Sequence, residues 1–194
     1  HQMVQRLRFR RPMLVEQRAA FVLASHHFLK HPLRSVVQLL VPARLPRGGG
    51  GPWPVRPPRG LRVVDSSSGT AGAYATKLLA DYGADVIKVE RPGAGDDTRA
   101  WGPPWWGEGE DRVAAYFVCA NRGKRSVAID IASEAGGARV RELAREADVL
   151  LENYKVGQLA KYGLDCASLQ AINPGLIYCS VTGYGQDGPL AHKA

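Results

Sequence analysis

Cysteine is scarce in this sequence, and its three copies, Cys119, Cys166 and Cys179, lie far apart with no CxxC pair. An odd, dispersed set supports neither a disulfide framework nor a zinc site, and it suits a reducing compartment. No apolar run reaches the ~18 residues of a membrane-spanning helix. The stretch 21–29 is broken by His26 and His27, and 36–41 is far too short, so no membrane partner is expected. Acids are nearly missing from the first 60 residues, where Glu16 stands against 11 Lys+Arg. Residues 61–194 hold 15 Lys+Arg against 17 Asp+Glu, so the formal charge of +8 belongs to the leader. The near-neutral remainder gives no reason to expect nucleic acid as a partner, and the leader has few aromatics on which bases could stack. His26, His27 and His31 have no acid or cysteine close by, so no metal is expected.

The leader, residues 1–60, is Arg-rich and ends in RGGGGPWPVRPPRG, a Gly/Pro run that holds neither helix nor strand. Residues 21–40 predict a weakly amphipathic helix interrupted at Pro32, and the segment as a whole is expected to be disordered or transit-like. Basic, acid-poor leaders resemble mitochondrial transit peptides, which places the protein in the mitochondrial matrix, or in the cytoplasm otherwise. An extension foreign to the natural protein reads equally well, since the chain opens on His1.

From residue 61 the pattern changes. Residues 61–64 form a short apolar run closed by Asp65, Gly69 and Gly72 punctuate a small-residue turn, and 71–82 carry apolar residues at helical spacing. Gly83 ends that helix and 86–89 is a second β-branched run. A strand–helix–strand of this length favours a parallel pair whose first turn opens a ligand crevice. Beyond a Gly/Pro/Trp-rich loop at 92–110, residues 113–119 predict a short helix, and 126–131 a third strand. Ser133 caps a helix reaching Glu146. Residues 149–151 and 176–181 predict two further strands, with short helices between them. Strands alternating with helices give an α/β, Rossmann-like, mostly parallel sheet with flanking helices over 61–194. A nicotinamide-dehydrogenase reading, an NAD(P)-binding oxidoreductase with Glu90 as ribose acid, fits poorly. Gly69 and Gly72 make GxxG rather than GxGxxG, and Asp65 sets a negative charge beside the phosphates.

Residues 61–99, 121–131 (NRGKRSVAIDI), 147–157 (ADVLLENYKVG) and 172–189 (INPGLIYCSVTGYGQDGP) together resemble the class III CoA-transferases, a group that includes an α-methylacyl-CoA racemase. The run PGAGDDTRAWGPP is most similar to the branch that moves CoA from succinyl-CoA to glutarate or hydroxymethylglutarate, and a racemase-like member of the family is the alternative. The resemblance implies coenzyme A or acyl-CoA as substrate, a small carboxylic acid as the other partner, an interlocked homodimer, and the incomplete large domain of such an enzyme. It places CoA contacts at Thr70, Ala71 and Arg91, at Ile129 and Asp130, and at Asn153, Tyr154, Lys155 and Lys161. In the β–α turn the family commonly has Gly-Pro where this chain has Gly72 and Ala73.

The resemblance further implies an aspartate nucleophile that attacks acyl-CoA, forms a mixed anhydride and then an aspartyl-CoA thioester, splitting one hard transfer into easier steps. That aspartate is expected beyond Ala194, and Asp96, Asp97 and Asp187 belong to other motifs. The chain is therefore read as an N-terminal fragment without a catalytic residue of its own, inactive alone. A truncated product that binds CoA or pairs with a full-length subunit is the non-catalytic alternative. Arg122, Lys124 and Arg125 form a basic turn suited to steering an anionic acyl-CoA. GYGQDGP reads as a mobile loop near the acyl end of the site.

Overall fold

The computed structural model describes residues 60–193 and the backbone of 36–40. Its elements are strands β1 (Val36–Leu40) and β2 (Arg62–Ser66), helix α1 (Ala71–Asp81), strands β3 (Asp85–Glu90), β4 (Trp105–Trp106) and β5 (Val113–Ala114), and helix α2 (Ala115–Asn121). Strand β6 (Arg125–Ala128), helix α3 (Glu134–Glu146), strand β7 (Val149–Glu152), helix α4 (Cys166–Ile172) and strand β8 (Ile177–Thr182) follow. The main sheet runs β1-β8-β7-β2-β3-β6. Its five strands from β2 onward are mutually parallel, and β1 joins the β8 edge antiparallel.

The Rossmann-like expectation holds, and the order explains where a ligand goes. The chain builds outward from β2 through β3 to β6, then returns to lay β7 on the other side of β2. The order therefore reverses between β2 and β7, and a crevice opens outside their carboxyl ends. β1 is a departure: it lies within the leader, at the end of the stretch expected to be helical. Its backbone pairs Val36 with Thr182 and Leu40 with Tyr178. The rest of the leader lies outside the described residues. A second departure is the 92–110 loop, which holds a small antiparallel hairpin. Trp105 pairs with Ala114 and Trp106 with Val113, so the expected 113–119 helix begins two residues late.

Alternation along the central strands divides the sheet into two faces. Val64, Ile87, Val89 and Leu150 pack with Val140 and Ala144 of α3 and Leu169 of α4. On the opposite face Val63, Val86 and Val149 pack with Leu79 of α1. That second face is apolar only in its amino-terminal half. Toward the carboxyl ends the same face carries Asp65, Lys88 and Glu90, all buried.

Local signals set the helix ends. Ser133 caps α3 as expected, its hydroxyl accepting from Gly136 N at 3.0 Å. Gly136 is there because nothing larger fits: a Cβ at this position would stand 1.8 Å from the Asp130 carbonyl oxygen. That neighbour is backbone, so relief requires moving the β6–α3 turn. Gly136→Ala is expected to lose about 3 kcal/mol, measured by urea unfolding; a change within ~0.5 kcal/mol would show that the turn yields freely.

Candidate functional site

The carboxyl ends of β2, β3, β6 and β7 bring most of the expected residues to one edge. Thr70 is the N-cap of α1 and Ala71 its first residue. No described group bonds the Thr70 hydroxyl at that cap. The first amides of a helix have no partner within it and face outward with the positive end of the helix dipole. Arg91 follows β3 directly, and Ile129 and Asp130 follow β6. Asn153, Tyr154 and Lys155 follow β7, beside the β2 turn. Lys161 stands apart in the Ala160–Tyr162 turn, its ammonium 4.7 Å from the Tyr162 ring centre.

Across the switch point the two central loops are clamped. Asn153 Nδ2 donates to Ser68 O at 2.7 Å, and Ser68 N donates to Asn153 Oδ1 at 2.9 Å. The ENY segment is thus tied to the β2–α1 turn by a two-point amide contact. Ser68 was not singled out in the sequence; the SSSGT run signals only a turn. Arg91 reaches the same loop, pairing with Asp97, whose carboxylate also accepts from Ser68 Oγ at 3.4 Å. Both partners of that ion pair are well exposed, so the guanidinium can exchange Asp97 for another anion. Asp130 and Ile129 do structural work at their end of the edge. Asp130 Oδ1 accepts from Ala132 N, and Ile129 N donates to Glu90 O at 2.9 Å.

Beneath this rim lies a charge layer that no local pattern in the sequence signals. Asp65 Oδ2 accepts from Lys124 Nζ at 2.8 Å and Thr76 Oγ1 at 2.7 Å, and Asp65 Oδ1 from Ser67 Oγ at 2.6 Å. Lys88 Nζ lies 2.8 Å from Asp96 and 3.8 Å from Asp65, and donates to Ser67 O at 2.8 Å. Glu90 takes a two-point contact from Arg99 at 2.7 and 2.9 Å. Burial pushes the Asp65, Asp96 and Glu90 carboxyls up, but the neighbouring cations and hydroxyls hold all three below their ordinary values.

This layer corrects two expectations. Asp65 is neutralised from beneath, so it sets no bare negative charge beside a phosphate. The basic turn is likewise spent on the fold: Arg122 pairs with Asp81, Lys124 with Asp65 and Arg125 with Asp85. Of the three, only Arg122 remains well exposed.

On the β8 side, a cleft of about 320 Å³ is lined by Glu152, Tyr154, Lys155, Ser180 and Gln186 among others. Glu152 is buried, accepts from Tyr154 N at 2.7 Å and from the Ser180 hydroxyl, and is pushed up in pKa by that burial. Gln186, from GYGQDGP, donates to Ser180 Oγ at 2.6 Å. The loop is therefore tied into the wall of this cleft. Among the described residues no group of three or more His, Cys, Asp or Glu is arranged to hold a metal, and no helix is long and apolar enough to cross a membrane.

A family sequence model described as CoA-transferase family III matches residues 59–194. The chain belongs to CoA-transferase family III. It is 55% identical over 142 residues to a succinate–glutarate CoA-transferase of Agrobacterium fabrum, covering 72% of this chain and 36% of that one. A succinyl-CoA:glutarate CoA-transferase of Mus musculus is 46% identical over 162 residues, covering 79% and 36%. A crystal structure of a CAIB/BAIF family protein from Brucella suis superposes with a TM-score of 0.69 at 55% identity, over 71% of this chain and 36% of that one. The chain thus spans about a third of the length of these family III relatives. The family's match begins where the leader's Gly/Pro run ends, and it includes all nine residues singled out above as CoA contacts.

Proposed function

We propose that the full-length protein transfers CoA between an acyl-CoA and a free carboxylic acid, with succinyl-CoA and a dicarboxylic acid such as glutarate as the best-supported pair. Residues 61–194 form the nucleotide-recognising part of that enzyme. The observation that carries this reading is the 55% identity over 142 residues to a succinate–glutarate CoA-transferase, together with a family match whose residues 59–194 build the switch-point crevice. In this reading the amides of Thr70 and Ala71 at the start of α1 meet phosphate oxygens, which the helix dipole favours. Arg91 leaves Asp97 for a phosphate, a charge-assisted pairing of a type guanidinium groups suit. Asn153 holds the two loops at the right separation, Tyr154 and Lys155 flank the nucleotide, Ile129 and Asp130 shape the β6 end of the edge, and Lys161 is a more distant basic contact from its own turn. The resemblance supports an interlocked homodimer as the working form, and the basic leader supports delivery to the mitochondrial matrix.

Titration of the 194-residue chain with CoA tests the recognition step. Binding is expected, and Arg91→Ala is expected to weaken it by about 1–3 kcal/mol, roughly five- to 150-fold. Unchanged affinity in that variant would remove Arg91 from the site. No binding by the folded chain would contradict the reading itself.

A further inference from the structure

We propose that Lys88 is a positioning residue: its buried ammonium sets the gap between the β2–α1 turn and the loop carrying Arg91. It thereby keeps the two rims of the crevice in register. The proposal rests on the reading that a phosphate-bearing ligand lies between those rims.

The argument begins with the sheet. Lys88 lies in the middle of β3 and shares a face with Val86 and Glu90, so an apolar side chain would be the ordinary choice there. Burying an ion pair brings little net stability compared with well-packed apolar groups of similar volume, so the cation calls for a reason beyond stability. Its contacts supply one. One ammonium donates to Ser67 O, at the start of the β2–α1 turn, and pairs at 2.8 Å with Asp96, in the loop after β3. Asp96 Oδ1 in turn accepts from Gly69 N at 3.3 Å, and from Thr98 N and Oγ1 at 2.8 and 2.6 Å. The turn and the loop are thus joined twice, by Lys88 below and by the Gly69–Asp96 bond above.

Asp96 is fixed from its other side, because its own N–H donates to Glu90 Oε2 at 2.9 Å. Asp65, beside Lys88, accepts from Ser67 N at 3.0 Å and so orients the residue whose carbonyl accepts from Lys88. Thr70 and Ala71 lie immediately beyond this turn, and Arg91 lies at the start of the loop. Their separation is set by Lys88, which touches none of them. A neutral side chain at position 88 leaves the Ser67 carbonyl and the Asp96 carboxylate without their shared donor, and the rims separate.

The test uses charge balance to divide positioning from stability. Lys88→Met leaves an excess buried negative charge and is expected to destabilise the fold. Combining it with Asp96→Asn restores neutrality while leaving the tether absent. The double variant is expected to recover most of the thermal stability lost by Lys88→Met and yet bind CoA at least tenfold more weakly than the unaltered chain. Recovery of affinity to within twofold, in step with stability, would overturn the proposal. Should the double variant fail to fold, Asp96→Asn alone decides. It keeps the Lys88–Ser67 bond but removes the charge on the far side, and is expected to weaken CoA binding at least threefold; unchanged affinity would overturn the proposal. Failure of the unaltered chain to bind CoA at all would instead count against the proposed function.

Discussion

Asp65→Ala is expected to destabilise the protein by about 3–5 kcal/mol at neutral pH, the scale for removing one partner of a buried charge pair. The carboxylate is fully buried and faces two buried ammonium groups, Lys88 and Lys124. Its loss also removes the acceptor of the Ser67 N–H and leaves the Thr76 hydroxyl only the backbone carbonyls of Gly72 and Ala73. The pH dependence carries a second signature. In the native chain Asp65, Asp96 and Glu90 all have depressed pKa values, so their stabilisation is present above the ordinary carboxylate range. It is lost as pH falls through the depressed values. Lys124 is pushed the other way: burial lowers its pKa, and Asp65 offsets part of that fall. Without Asp65 that offset disappears. A base whose folded pKa lies below its unfolded value gains stability as pH rises between the two. The deficit of Asp65→Ala should therefore shrink from pH 7 toward pH 9. Urea unfolding across that range checks both points, and a deficit below ~1 kcal/mol at pH 7 would show that the layer is dispensable.

The second large effect is an absence of turnover despite binding. Succinyl-CoA and glutarate mixed with the 194-residue chain are expected to give glutaryl-CoA no faster than the uncatalysed rate. Enzymes of ordinary efficiency exceed that rate by 10⁶-fold or more, so the outcome is unambiguous. A nucleophilic carboxylate needs to face the substrate unpaired, and the buried aspartates near the crevice are committed elsewhere. Asp65 and Asp96 hold lysines, and Asp130 closes its own turn; Asp97, which Arg91 gives up to a phosphate, is the one the adduct mapping checks first. A chain extended to the relatives' length should restore transfer. Glutaryl-CoA formation by the shorter chain, or a CoA adduct mapped by mass spectrometry to one of its aspartates, would show that the nucleophile lies within it.

What was legible in the sequence was local. Ser133 announces its helix because a capping hydroxyl bonds an amide three residues away, and the parallel strands announce themselves as short β-branched runs between helical periods. The ENY segment and the β2 turn were placed at one edge because a strand–helix–strand unit leaves its loops there. What stayed hidden depends on residues distant in sequence. Lys124 reads as part of a solvated basic turn, and only the packing of α1 over the sheet brings it to Asp65, 59 residues away. Lys88 did leave a trace, a lysine at the centre of the strand VIKVE on the same face as Val86 and Glu90. Periodicity marks it as inward-facing but names no partner. The β1 pairing and the Trp105–Trp106 hairpin are likewise settled by a neighbouring strand and not by their own composition.

The position of β2 at the centre of the sheet has a consequence during synthesis. β2 can pair with β3 almost as soon as both leave the ribosome, but its other edge waits for β7, whose flanking Asp148 bonds Arg62 across 86 residues. At translation rates of ~5–20 residues per second that wait lasts about 4–17 s. Throughout it the nascent chain carries an open edge of unpaired N–H and C=O groups on a strand whose side chains include Val63 and Val64, and half of a crevice. Unpaired strand edges recruit foreign strands, so a newly made chain is most vulnerable to aggregation, and most dependent on chaperones, before residue 149 emerges.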